Sequence, residues 1–181
     1  VLIIFFILNF YNPAYSSLKD KIISKMLAVN NLSFNFIQEI DKKREKGSCT
    51  ISYPKKIFCE YYNINKKIIV SNGKSLVVKN KNSGNFYIYP LKRTPLEQLL
   101  DKDYIISKIR ILEPRDIDNK YLNFKILENN NEINIFFDKI TFDLIGWQTK
   151  DIYQNLIITF ISSVKINQEI DNNIFILPKN N

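Results

Sequence analysis

Apolar and polar residues alternate along most of this chain, and the alternation divides it into strands. Leu32, Phe34 and Phe36 alternate with Ser33 and Asn35 in a strand that runs to about Ile40. Asp41–Lys46 reads as a charged turn. Cys49, Ile51 and Tyr53 then share one face, with Thr50 and Ser52 on the other. Past Pro54-Lys55-Lys56, Ile57, Cys59 and Tyr61 share a face. A reversal at residue 54 sets position 49 opposite 59 and 51 opposite 57. Strands near 66–71, 75–80 and 85–89 follow. The first two of these are joined at Ser71-Asn72-Gly73-Lys74, and Asn-Gly is a strong hairpin signal. Further strands are expected near 104–112, 120–128, 132–138, 140–149, 155–166 and 174–177. Leu122, Phe124 and Ile126 share a face, as do Ile133, Ile135 and Phe137. The longest strand puts Leu156, Ile158, Phe160, Ser162, Val164 and Ile166 on one face. Its other face carries Asn155, Ile157, Thr159, Ile161, Ser163 and Lys165.

Two segments carry helical spacing instead. Over residues 17–30, Leu18, Ile22, Met26 and Val29 form an apolar stripe, widened by Ile23 and Leu27 and stopped at Asn30-Asn31. At Thr94-Pro95-Leu96-Glu97, the threonine is placed to cap a helix, the proline to open it and Glu97 to complete a capping box. Leu96, Leu99 and Leu100 give that short helix one apolar side. Many strands with two amphipathic helices predict a mainly β fold: one long antiparallel sheet, strongly curved and unclosed, with helices over its apolar face. No linker or repeat divides residues 17–181, so the expectation is a single domain.

Residues 1–16 read differently. Val1 to Phe10 is an apolar run too short to span a bilayer as a helix, and Ala14-Tyr15-Ser16 resembles a small-x-small cleavage site. The expectation is the remnant of a secretory signal peptide; the alternative is a buried first element. No cysteine follows the run, so no lipid anchor on the chain itself is expected. Export would place Cys49 and Cys59 in an oxidising compartment, and their cross-strand register favours a disulfide over two buried free thiols.

Composition narrows the chemistry. The chain has 26 Lys and Arg against 18 Asp and Glu, a net charge of +8, but the lysines are scattered. Nucleic-acid binding is therefore not expected, for want of a basic helix or motif. Histidine is absent, which removes Ser-His-Asp, Cys-His and His-metal chemistry together. Asp138, Asp143 and Asp151 lie in and around one expected strand, but nothing sets two carboxylates across a cleft. No enzyme, metal or cofactor is expected.

Several segments, in order, resemble a known family. They are Phe36-Ile37-Gln38; the strand from Pro54 to Glu60-Tyr61; Ile68 to Leu76; Thr94-Pro95-Leu96; Phe142 to Trp147 with Asp151; and Phe175 to Pro178. Together they resemble LolA, the periplasmic outer-membrane lipoprotein carrier family. The resemblance implies an unclosed antiparallel barrel with a helical lid that holds the acyl chains of outer-membrane lipoproteins. It implies a monomeric periplasmic carrier, loaded by an inner-membrane ABC releasing complex and unloaded by an outer-membrane acceptor where one exists. It also implies that Ile57 and Tyr61 line the barrel and that Leu96, Leu99 and Leu100 belong to the lid. The family's arginine before the hairpin proline, which latches the lid, is here Tyr53, and its usual strand tryptophan is Cys59. A phenol donates one hydrogen bond where a guanidinium offers five, so the expectation is either a weaker latch at Tyr53 or a lid closed by packing.

The strand faces read from alternation add Leu122, Phe124, Ile126, Ile133, Ile135, Phe137, Leu156, Ile158 and Phe160 as candidate cavity residues. Pattern alone leaves a filled core as the alternative to a cavity. It also leaves open an envelope lipid-sensing or interaction domain of the same fold without carrier activity.

Overall fold

The computed structural model of this chain describes residues 13–63, 66–128, 131–150 and 154–179. Most of the expected leader lies outside them.

Short reversals turn the alternating segments into a sheet. Asp41 and Lys42 both take positive φ, 46° and 65°. That two-residue turn matches the right-handed twist of the strands it joins. β1 (Asn31–Ile40) and β2 (Lys43–Ser52) therefore meet across two residues, and the charged turn expected over 41–46 shrinks to 41–42. β2 pairs with β3 (Lys56–Tyr61) with Cys49 opposite Cys59 and Ile51 opposite Ile57. The two cysteines are bonded. Closing so short a loop contributes about 3 kcal/mol in the chain-entropy account. Between β4 (Lys67–Asn72) and β5 (Ser75–Asn80), the Asn72 side chain accepts the N–H groups of Lys74 and Ser75. β6 (Phe86–Pro90) completes this half.

The second half runs β7 (Arg115–Ile117), β8 (Tyr121–Glu128), β9 (Asn131–Asp138), β10 (Leu144–Lys150) and β11 (Leu156–Ile166). β11 pairs with β1 and joins the halves, giving the order β6-β5-β4-β3-β2-β1-β11-β10-β9-β8-β7. Every pairing is antiparallel. Among the described residues β6 and β7 each pair on one side only, so the barrel is unclosed. Gly47 lets β2 lie close at the centre. A Cβ there would sit 2.2 Å from the Glu60 carbonyl and 2.6 Å from the Phe36 ring.

Among the described residues three α-helices cover the concave face: α1 (Pro13–Ala28), α2 (Leu96–Leu99) and α3 (Lys102–Ile111). α3 occupies the span where a strand over 104–112 was expected. Ile105, Ile106 and Ile109 fall on one helical face, all buried, and the Asp101 carboxylate caps the helix by accepting the Tyr104 N–H. Burying each isoleucine stabilises the fold by roughly 2 kcal/mol, which outweighs the β-branched preference for a strand. The expected capping box at Thr94 does not form. The Thr94 hydroxyl donates to the Leu91 carbonyl at the end of a 3-10 turn (Leu91–Arg93), and Glu97 is engaged elsewhere. The strand expected at 174–177 is a 3-10 turn, Asn172–Phe175, held by the Asp171 carboxylate.

Two apolar groups of side chains fill the concave side. One packs Ile22 and Ile23 of α1 and Ile105, Ile106 and Ile109 of α3 onto β8 and β9. The other joins Leu32, Phe34 and Phe36 to Ile51, Ile57 and Leu100. Leu96 and Trp147 touch both.

Candidate functional site

The two groups do not meet everywhere. Between them lies a cavity of about 550 Å³. Its floor is the concave face, at Leu32, Ile51, Ile57, Ile135, Phe137 and Trp147. Its roof is Leu96, Leu99 and Leu100 with Ile105, and one wall is the end of α1 at Met26 and Val29. The described lining is mostly hydrocarbon, with Lys25, Lys102, Asp138 and Asp143 among its charged members.

Of the residues expected to line a cavity, Ile57, Ile135 and Phe137 do so, and Leu96, Leu99, Leu100 and Tyr53 also border it. Leu122, Phe124, Ile126 and Ile133 do not. They face the concave side but are packed solid beneath α1 and α3. Tyr61 lies beyond the cavity, its ring edge-on to Phe36 and its hydroxyl donating to the Gln38 side chain. Burial and the nearby Glu45 carboxylate push its phenol well above the usual range.

Leu156, Ile158 and Phe160 belong to the convex face, where Phe160 is 51% exposed and Leu156 42%. The error in the expected face lies in a bulge. Ser163 takes φ 53°, and the register against β1 slips between Ser33 and Asn35. One extra residue inverts the facing of everything beyond it. Thr159 and Ile161 therefore point inward before the bulge, and Val164 and Ile166 after it. Strict alternation carries no signal for such a slip. Of the other lining residues passed over, Leu32, Ile51 and Trp147 lay on strands already read correctly, whereas Ile105 lay in the span misread as a strand.

The roof is fastened from below. The Lys55 N–H donates to the Leu100 carbonyl at 2.9 Å. Its ammonium pairs with Glu97 at 2.8 Å and Asp101 at 3.3 Å. The Glu97 carboxylate chiefly, helped by Asp101, holds the Lys55 pKa above its ordinary value. Buried Ser71 anchors the same residue by donating to the Lys55 carbonyl. At the roof's other end, Lys102 donates to the Val29 carbonyl at 2.7 Å and satisfies the end of α1. Tyr53, at the position of the family's latching arginine, lines the cavity. Among the described residues its hydroxyl makes no hydrogen bond to the roof, and burial pushes its pKa up to about 12. The contacts to the roof come instead from Lys55, two residues further on and past the proline.

Among the described residues no group of three or more His, Cys, Asp or Glu could hold a metal ion, and no helix is long and apolar enough to cross a membrane.

The family model described as outer membrane lipoprotein carrier protein LolA matches residues 28–177. No curated protein matches the chain. Among solved structures, a conserved protein from Thermus thermophilus is similar at 9% identity and TM-score 0.53, covering 92% of this chain and 95% of that one. A LolA superfamily protein from Nitrosomonas europaea is similar at 8% identity and TM-score 0.48, covering 89% and 96%. MucB is similar at 8% identity and TM-score 0.45, covering 94% of this chain and 65% of that one.

Proposed function

We propose that this chain, which belongs to the LolA family of outer membrane lipoprotein carriers, is a periplasmic carrier that shields lipoprotein acyl chains in the cavity beneath α2 and α3. An inner-membrane ABC releasing complex loads it, and an outer-membrane acceptor unloads it. The family's fold is a binding and carrier fold, and the proposed transfer is a handoff without bond chemistry.

The cavity carries this reading. A dry cavity of roughly 150 Å³ takes one benzene, so about 550 Å³ holds about twenty carbons, or one long acyl chain. Burying about sixteen methylenes contributes roughly 13 kcal/mol at about 0.8 kcal/mol each. That offsets an association cost of roughly 4–15 kcal/mol. A lining with so few polar groups recognises hydrocarbon and little else, which suits a carrier of many different lipoproteins.

An apolar fluorophore and a detergent-solubilised acylated protein should compete for one site on the purified protein. Val164→Asp puts a charge on a cavity residue that is already 43% exposed, so folding should survive while affinity falls about tenfold or more. Phe160→Asp, on the convex face, should leave affinity within about twofold. Equal loss from both variants, or no binding by the unaltered protein, removes the carrier reading.

A further inference from the structure

We propose that an acyl chain enters this cavity sideways, through an open mouth between α1, the β9–β10 turn and the end of β11, while the α2–α3 roof stays shut. The inference rests on the cavity's holding acyl chains.

The wall of the cavity is dry on one side and wet on the other. Leu99, Leu100 and Ile105, under the roof, are 9%, 1% and 5% exposed. Val164 and Ile166 line the same cavity yet are 43% and 48% exposed. The cavity therefore reaches solvent at the end of β11. That opening is built by the bulge at Ser163, which turns Val164 and Ile166 toward the cavity. Ile140, 84% exposed at the tip of the neighbouring β9–β10 turn, places a greasy step beside the mouth.

One corner of this opening is tied, where Asn167 beyond β11 donates to the Ala28 carbonyl at 2.8 Å and accepts the Asn30 N–H at 2.8 Å; between that corner and the β9–β10 turn the contacts are weaker. Lys25 of α1 reaches Asp143 at 2.5 Å, in a pair whose members are 48% and 60% exposed. The Lys21 ammonium lies 5.2 Å from the centre of the Phe142 ring, and Phe142 itself holds φ 60°. These are side-chain contacts in water, weakened by screening and released by rotamer changes alone. The roof is held differently. Lifting it breaks the Lys55 pairs with Glu97 and Asp101, the Lys55 bond to the Leu100 carbonyl and the Lys102 bond to α1 together. It also exposes the buried isoleucines of α3. A single chain meets far less resistance at the mouth.

Two tethers separate the routes. Cys49 and Cys59 are bonded to each other, so a short bis-maleimide reacts only with introduced thiols. K25C/D143C closes the mouth, and K55C/E97C fastens the roof. Uptake of a fluorescent hexadecanoic acid is followed by stopped flow, with circular dichroism confirming the fold. Against the same variant before crosslinking, closing the mouth should slow association about tenfold or more, and fastening the roof should leave it within about twofold. An untethered K25M/D143N variant should take up the probe at least as fast as the unaltered protein. Ile166→Trp narrows the mouth without a crosslinker and should slow uptake about fivefold. Equal slowing by both tethers, slowing by the roof tether alone, or an unchanged rate in Ile166→Trp overturns the proposal. No uptake by the unaltered protein overturns the cavity reading, and this route with it.

Discussion

Lys55 joins the β2–β3 reversal to the roof through both its backbone and its side chain. Its ion pairs are about one-third exposed, so their energy is that of a partly screened network, about 1 kcal/mol or less. Lys55→Met keeps the backbone bond and removes the charge. It should lower stability by about that amount and speed hydrogen exchange at the amides of Leu99 to Ile106, read by mass spectrometry. Because the folded-state pKa is raised, the clasp is intact below the ordinary lysine pKa and is lost as pH rises through the raised value. Tyr53 acts in the same direction for another reason. Burial disfavours its phenolate, so its contribution is complete below pH 10.0 and is lost as pH rises toward about 12. Absorbance titration should show the ionisation of Tyr53 lagging that of exposed tyrosines, and Tyr53→Phe should flatten the alkaline loss of stability. At this site the sequence showed only a missing arginine, and the contact made by Lys55 could not be read from it. Glu97 lies 42 residues from Lys55, and no local pattern pairs them.

At the scale of elements, the C-terminal segment shows how packing overrides local preference. Residues 174–177 carry strand-forming residues, yet Asn172–Phe175 closes into a 3-10 turn against β3 and β4. Phe175 is 3% exposed there, with the Lys56 ammonium 5.8 Å from its ring centre. On the same convex side, Val70 and Val77 face each other across β4 and β5 and are fully buried. Phe175→Ala should therefore cost about 3 kcal/mol in urea denaturation while leaving acyl-chain affinity unchanged, because it opens a void on the face opposite the cavity. The β2–β3 hairpin was readable to the residue. Cys49 opposite Cys59 needs only a reversal at 54 and strict alternation. α3 was not readable as a helix, because its isoleucines favour either state until α1, β8 and β9 offer a surface to one helical face.

Over the whole molecule, the helices fill one part of the curved sheet's concave side and leave another hollow. Leu122, Phe124, Ile126 and Ile133 are core because α1 and α3 lie on them. Ile135 and Phe137, on the same strand face as Ile133, also touch the packed group but reach past the helices into the cavity. With the roof shut, the hollow has room for one chain, so titration with a single-chain fatty acid should saturate at about one equivalent. A cargo with more chains requires the helices to shift, and its binding should increase hydrogen exchange in α3 relative to the one-chain complex.

Neighbouring residues decide strand, turn and pairing register, and that information is written along the chain itself. Alternation, the Asn-Gly turn and the ordered family segments therefore sufficed for an unclosed antiparallel barrel and for the cysteine pair. A hollow is the difference between the volume a sheet encloses and the volume its side chains and helices occupy. That difference depends on where α1 and α3 come to rest, on one bulge at Ser163 and on a lysine meeting two carboxylates from the roof. Each joins parts of the chain that are distant in sequence, so only the folded molecule could decide them.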